Sequence, residues 1–196
     1  MPLIEHFLKM TLHITLETGV RYAFFASLAW LLAYVLFRQR WWHRKIVARA
    51  PLAADVRREM RDSAITLVIF GAVGAATVLA IKAGWTQMSF QPRHWAWSVG
   101  SVAAAILLHD AYFYWTHRMM HHPRLFRRFH RTHHLSTNPT PWAAYAFSPL
   151  EDLVQAAIFP IVVLLIPIQP LGFAAFMIWQ IIFNVAGHTG YEHHPR

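Results

Sequence analysis

The sequence predicts an all-α protein embedded in a membrane, and three observations support this fold class. Hydrophobic residues make up 56% of the 196 residues, and the mean hydropathy of +0.31 is high for a soluble chain. Several apolar segments are long enough to cross a bilayer as helices. The formal net charge is +9, and the basic residues cluster between these segments. We therefore expect the basic residues to face anionic lipid, with no role in binding nucleic acid.

Three segments have the length and composition of spanning helices. They cover residues 20–37, 63–83 and 95–115. Two shorter apolar stretches follow at 153–169 and 171–187, and Pro167 and Pro170 lie where they meet. Because proline ends or kinks a helix, these stretches predict a helical hairpin.

One membrane domain is expected over residues 1–196. It divides into transmembrane helices at 20–115, a cytosolic histidine-motif region at 116–150, and the hairpin with a final histidine motif at 151–196. The predicted architecture is three spanning helices, a hydrophobic helical hairpin and a histidine-rich cap.

The distribution of basic residues predicts the orientation of the helices. Eight lie between the first two spans: Arg38, Arg40, Arg44, Lys45, Arg49, Arg57, Arg58 and Arg61. Only Lys82 and Arg93 lie between the second and third spans. The positive-inside rule therefore places residues 38–62 in the cytosol, and the third span returns the chain there. We expect the histidines that follow to face the cytosol.

The absence of cysteine restricts the metal chemistry that the chain can support. It excludes thiolate-bound haem, cysteine-ligated iron–sulfur clusters, cysteine-type zinc sites and disulfides. Any metal must be held by histidine, aspartate or glutamate.

Ten of the fourteen histidines lie after residue 108, and most have spacings that suit a metal site. His117 and His121 are four residues apart, so on a helix both rings lie on one face. His130, His133 and His134 repeat spacings of three and four residues, and His188 follows the predicted hairpin. Neutral imidazole binds iron, copper, zinc and nickel, so ligand type alone does not choose the metal.

The remaining histidines have simpler interpretations. Isolated histidines near membrane boundaries are expected to be interfacial side chains: His6, His13, His43 and His94. On a helix His122 is rotated by about 100° from His121, so we do not expect it to be a ligand. His193 and His194 are either further ligands or a polar tail, and we favour the tail.

Two ionisable residues, His109 and Asp110, lie inside the third predicted span, where such groups are costly and often functional. Asp110 is rotated by only about 20° from the helical face of His117, compared with about 80° for His109. Asp110 is therefore the candidate for a catalytic residue that orients a histidine ring or binds metal. The alternative, a carboxylate paired with Arg118, carries equal weight.

Three segments resemble successive motifs of the sterol desaturase and fatty acid hydroxylase superfamily. They are HDAYFYWTHRMMHH, FHRTHHLSTNPTPWAAYAFSPLED and NVAGHTGYEHHPR, and PTPWAAYAF is most similar to the sterol C5-desaturase branch. The resemblance covers about residues 105–195. Members of this superfamily are membrane enzymes with a non-haem di-iron centre held by histidines. The resemblance implies metal ligation by His117, His121, His130, His133, His134 and His188.

The resemblance also implies a reaction, the O2-dependent hydroxylation or desaturation of a fatty acyl or sterol-like lipid with two iron ions. Iron is preferred because zinc cannot support redox change. No haem-binding or flavin-binding module is recognisable, so a separate protein is expected to donate the electrons. The basic residues Arg124, Arg127, Arg128 and Arg131 would face either an acidic donor or anionic headgroups.

Three alternatives remain open from the sequence. Members of the superfamily carry a further HxxHH motif, which the sequence up to Arg196 does not include, so we expect either a fragment or an incomplete, inactive site. A non-catalytic metal-binding or metal-transport membrane protein is the main rival to the enzyme. A basic protein of the membrane surface is the third possibility.

Overall fold

The computed structural model describes residues 2–193, and it confirms the all-α fold class. The eight α-helices of this part are α1 (Pro2–Trp30), α2 (Arg38–Trp41), α3 (Ala53–Lys82), α4 (Trp95–Met120), α5 (Pro123–Phe129), α6 (Pro149–Ala156), α7 (Ile158–Leu165) and α8 (Pro170–Gly187). A π-helix, Leu31–Leu36, continues α1, and short 3-10 helices cover Trp42–Arg44, His133–Leu135 and Pro141–Tyr145. Within residues 2–193 no β-strand is formed, and Lys45 and Tyr191 make an isolated antiparallel bridge.

Three helices of the described residues are long and apolar enough to cross a membrane. They are Leu3–Leu36, Ala53–Lys82 and Pro170–Gly187. The number agrees with the prediction, but α8 replaces α4 as the third candidate. Although α4 has 26 residues, His109 and Asp110 in its middle lower its hydropathy. The first helix also begins much earlier than residue 20, and its first turns carry an exposed i,i+4 ion pair, Glu5 to Lys9 at 2.6 Å.

Helices occupy both arms of the predicted hairpin, but the first arm begins earlier and is broken into two helices. Ser148 caps α6, its hydroxyl accepting from the backbone N–H of Glu151 at 3.3 Å, and Pro149 occupies the first turn. The chain bends at Ala157 between α6 and α7. Pro170 starts α8, as its fixed φ allows at a helix N-terminus.

Antiparallel packing of α1 against α3 forms the longest helix interface. A Cβ on Gly71 would lie 2.8 Å from the backbone oxygen of Thr11, so this approach requires glycine. The Tyr22 hydroxyl lies 3.0 Å from Ser63 Oγ and donates to the backbone oxygen of Trp142 at 2.6 Å. These bonds fix the 3-10 helix Pro141–Tyr145 against the spanning helices.

One end of the helix bundle collects the elements that carry histidines. The C-terminal turns of α4 and α8 lie there with the chain from His130 to Leu135, and His133 contacts His188 at this end. The apolar core lies below them and includes the fully buried side chains of Tyr145, Phe176 and Ile181. A polar cluster therefore lies over an apolar bundle.

Candidate metal centre

Four histidines come together around His130, and we call them the four-histidine group: His117, His121, His130 and His134. The Nε2 atoms of His117 and His121 are 3.2 Å apart, as their spacing on α4 predicts. One ring nitrogen from each of His117, His121 and His130 lies within 4.8 Å of the other two. His134 completes the group, with its ring centroid 4.6 Å from that of His130.

His133 and His188 form a second arrangement beside this group, and we call it the histidine pair. Their Nε2 atoms are 3.3 Å apart, although the residues are separated by 55 positions. The ring of His133 stacks on that of His130 at 5.4 Å between centroids. All six histidines predicted as ligands thus lie in one continuous cluster with two parts.

The distances between ring nitrogens fit shared metal ligands. Two imidazole nitrogens that bind one ion at about 2.1 Å lie about 3.0 to 3.4 Å from each other, depending on the coordination geometry. The observed separations of 3.2 Å and 3.3 Å fall in this range. Imidazole donors suit iron, copper, zinc and nickel. The donors present therefore fit one metal at the four-histidine group, and the pair offers two further imidazole donors beside it.

Glu151 orients the central ring of the cluster. Its Oε1 lies 2.7 Å from His130 Nδ1, and both side chains are fully buried. Burial raises the pKa of Glu151 to about 8 and lowers the pKa of His130, because it disfavours the charged form of each group. When Nδ1 carries the ring hydrogen and donates it to Glu151, the lone pair of His130 Nε2 is free for a metal. Within residues 2–193 this buried Nε2 atom has no hydrogen-bond partner.

His188 is oriented in a similar way by the backbone. Its Nδ1 donates to the carbonyl oxygen of Asn184 at 2.7 Å, one turn earlier on α8, which leaves Nε2 facing His133. Burial, reinforced by His188 and His130, lowers the pKa of His133 to about 2. Since only the neutral ring binds metal, these buried imidazoles are in the ligand form at neutral pH.

Asp110 does not make the contact that we expected of it. It is exposed on α4, and in the described part of the chain no hydrogen bond joins it to a histidine. The reason is distance along the helix, because seven residues separate Asp110 from His117, or about 10 Å of rise. Arg118, its predicted alternative partner, instead donates to the Tyr114 hydroxyl at 2.8 Å. The carboxylate that orients a ring is Glu151.

The other histidines considered from the sequence lie outside the cluster. His109 is buried among aromatic rings, with the ring centroid of Trp179 at 5.3 Å. His122 caps α5, where its Nδ1 accepts from the backbone N–H of Arg124 at 3.3 Å. The Nε2 of His193 lies 2.7 Å from the hydroxyl of Thr189. His194 lies outside the described residues.

Sequence reasoning missed Glu151, although a signal was present. Glu151 and Asp152 are adjacent acids at the start of an apolar stretch, and both are fully buried. Thr66 donates to Asp152 at 2.7 Å, which accounts for the second acid. Buried carboxylates need partners, so two acids leading into an apolar helix indicated a buried polar contact.

A largely apolar cavity of about 210 Å³ ends at His188. Its lining includes Phe70, His109, Phe113, Phe147, Phe183 and His188. It extends from the histidine pair into the bundle between α3, α4 and α8. An apolar molecule in this cavity would lie against a ring of the pair.

Comparison with known proteins agrees with this geometry. Residues 102–196 match the family model described as fatty acid hydroxylase. A Delta(7)-sterol 5(6)-desaturase of Aspergillus fumigatus is 31% identical over 137 residues, which cover 69% of this chain and 41% of that protein. A human lathosterol oxidase is 25% identical over 143 residues, which cover 71% of this chain and 48% of that protein.

A further Delta(7)-sterol 5(6)-desaturase, from Gibberella zeae, is 34% identical over 102 residues, covering 48% of this chain and 32% of that protein. The chain spans about a third to a half of the length of these relatives. No solved structure matches it. The matched region contains all six clustered histidines and Glu151. Residues 102–196, just under half of the chain, thus match the fatty acid hydroxylase family and resemble the sterol desaturases.

Proposed function

We propose that the chain forms the metal centre of a membrane oxidoreductase that hydroxylates or desaturates a lipid with O2. The observation that carries this proposal is the convergence of six imidazoles around His130, which Glu151 orients, beside an apolar cavity. The names of the family model and of the similar proteins concern fatty acids and sterols, which supports a fatty acyl or sterol-like substrate.

The four-histidine group would hold one iron ion, and His133 and His188 would supply ligands to a second. Bound iron would supply the activation of O2 that attack on an unactivated C–H bond requires. His130 and His133 stack between the two parts, so they would fix the spacing of the two ions. Glu151 holds the proton of the His130 ring on the side away from the metal.

The cavity at His188 would bind and orient the lipid. Aromatic side chains from α3, α4 and α8 make its wall largely apolar, so it favours hydrocarbon and excludes water. Gln180 and Asn184 are polar side chains in its lining and would fix the orientation of a polar group on the lipid. The reacting carbon would then lie near the ring of His188.

The histidine cluster is proposed to face the cytosol, where a separate electron-donor protein would reach it. The basic residues before α3 and after α4 support this orientation through the positive-inside rule. The basic side chains of Arg127 and Arg128 at the end of α5 lie next to the cluster and suit an acidic donor.

The test is iron content and lipid oxidation by the purified protein in detergent. We expect the protein to retain iron and, with a chemical reductant, O2 and membrane lipid, to give a hydroxylated or desaturated product by mass spectrometry. The His130→Ala variant should lose both, whereas His122→Ala should keep both because His122 only caps α5. Iron binding without any O2 consumption would contradict the enzyme and leave the metal-binding alternative.

A further inference from the structure

Lys45 is a buried cation in a loop that precedes α3. It is 6% exposed, and its Nζ donates to Asn138 Oδ1 at 2.7 Å and to the backbone oxygen of Gly190 at 3.2 Å. Burial lowers the pKa of its ammonium group. Within residues 2–193 it forms no ion pair with a carboxylate. Neutral oxygens and aromatic rings therefore replace the water around the ammonium group, and the buried Glu59 favours its charge without contacting it.

Two tyrosine rings complete the surroundings of Lys45. Nζ lies 5.5 Å from the ring centroid of Tyr34 and 5.2 Å from that of Tyr191, within the range of cation–π contacts. The Tyr34 hydroxyl donates to the backbone oxygen of Thr189 at 2.7 Å. Tyr34 belongs to the π-helix Leu31–Leu36, and π-helical turns are rare and frequent at functional sites. We call Tyr34, Lys45, Asn138 and Gly190 the lysine latch.

The latch joins the two chain segments that carry the histidine pair. Asn138 lies five residues after His133, and Gly190 lies two residues after His188. The backbone N–H of Ile46 also donates to the oxygen of Gly190 at 3.1 Å, next to the bridge between Lys45 and Tyr191. These contacts hold the two segments together close to the pair. They therefore help to set the 3.3 Å separation between its two Nε2 atoms.

Gly190 allows this close approach. Its φ is +74°, and a Cβ there would lie 2.5 Å from Lys45 Nζ and 2.6 Å from the backbone oxygen of Pro139. A larger residue would therefore push Lys45 away and strain the backbone. The absence of a side chain at Gly190 therefore leaves room for the Lys45 ammonium group.

We propose that Tyr34 and Lys45 are positioning residues of the metal centre, which hold His133 and His188 at the separation that two ligands of one ion need. Both residues lie outside the matched region 102–196, so the N-terminal part of the chain contributes to the site. This inference rests on the proposed metal centre. Loss of a residue that orients metal ligands typically weakens metal affinity by about 10-fold to 100-fold.

The test is titration of the metal-free protein in detergent with Co²⁺, followed by the visible absorption of the bound ion. The Lys45→Met variant keeps an apolar side chain of similar length and removes the donors. We expect it to bind one Co²⁺ as the unchanged protein does and a second about 10-fold to 100-fold more weakly, with the absorption of that second ion altered. Tyr34→Phe, which keeps the ring, should show a smaller loss at the same ion.

Tyr22→Phe is the matched control, because it also removes a buried hydroxyl that donates to a backbone oxygen, away from the pair. It should lower the melting temperature and leave both Co²⁺ affinities and the absorption unchanged. Unchanged affinities in folded Lys45→Met and Tyr34→Phe would overturn the inference, as would an equal loss in Tyr22→Phe. If Lys45→Met does not fold, Tyr34→Phe alone decides. Failure of the unchanged protein to bind Co²⁺ would refute the proposed function.

Discussion

The four-histidine group and the histidine pair are neighbouring halves of one cluster that are built in different ways. Three of the group's members lie within 14 positions of each other, and one helical turn sets the distance between His117 and His121. The pair joins residues 55 positions apart, and contacts from a third region hold the two segments that carry it. Local spacing is therefore enough to build the group, whereas the pair depends on the tertiary fold.

The largest expected effect is on metal content, when one histidine is removed from either half of the cluster. We expect His134→Ala to release one metal ion and His188→Ala to release the other, because the two rings lie on opposite sides of His130 and His133. Elemental analysis should find about one ion fewer per chain in each variant, and the double variant should hold none. Loss of both ions from either single variant would show that the halves form one inseparable site.

Glu151→Gln should weaken binding without removing a ligand. The amide is close in size to the carboxyl group but is a weaker acceptor for the His130 Nδ1–H and cannot carry a charge, so we expect metal affinity to fall about 10-fold to 100-fold. The loss should be largest at the four-histidine group, measured by Co²⁺ titration. Asp110→Asn is the control and should bind as the unchanged protein does, since Asp110 is exposed. Equal effects would restore Asp110 as an orienting residue.

The smallest expected effect is on the free energy of unfolding, when alanine replaces Gly84 or Gly190. Gly84 and Gly190 have nearly the same φ, +75° and +74°, but a Cβ meets nothing within 4 Å at Gly84. Gly84→Ala should therefore lower the free energy of unfolding by about 1 kcal/mol, the backbone cost alone. Gly190→Ala should lose more and also weaken the metal site at the pair. Denaturant unfolding in detergent measures the first effect, and equal losses with intact metal binding would contradict the role of the latch.

Histidine spacing was sufficient to group five of the clustered rings, because α4 and the short helix at His133 convert spacing directly into shared faces, whereas His188 was included through the family resemblance. It could not identify Glu151, which lies 21 positions after His130 in the sequence. The same helical reasoning gave Asp110 a shared face with His117 but not the rise between the two residues, which is about 10 Å. Lys45 carried no signal beyond its place in a basic loop.

For the membrane helices, too, the sequence pattern predicted only part of the structure. Hydropathy located the apolar segments but ranked them incompletely. The helix α4 carries His109 and Asp110, which lower its hydropathy, and α8 is the more apolar of the two helices. The first arm of the hairpin began earlier than its apolar residues suggested, because its first turn carries the acids that support the site. Segments that serve the site therefore depart from the pattern of plain spanning helices.

The arrangement of the pair has a consequence for the order of assembly. His133 and His188 lie on either side of the α6–α8 hairpin, and Lys45 precedes both by many residues. The proposed second metal position therefore cannot form on the growing chain before the segment after α8 has folded back onto the loop at Lys45. The ring contacts of the four-histidine group need only residues 117–134, so this group would be the earlier point of metal capture during biosynthesis.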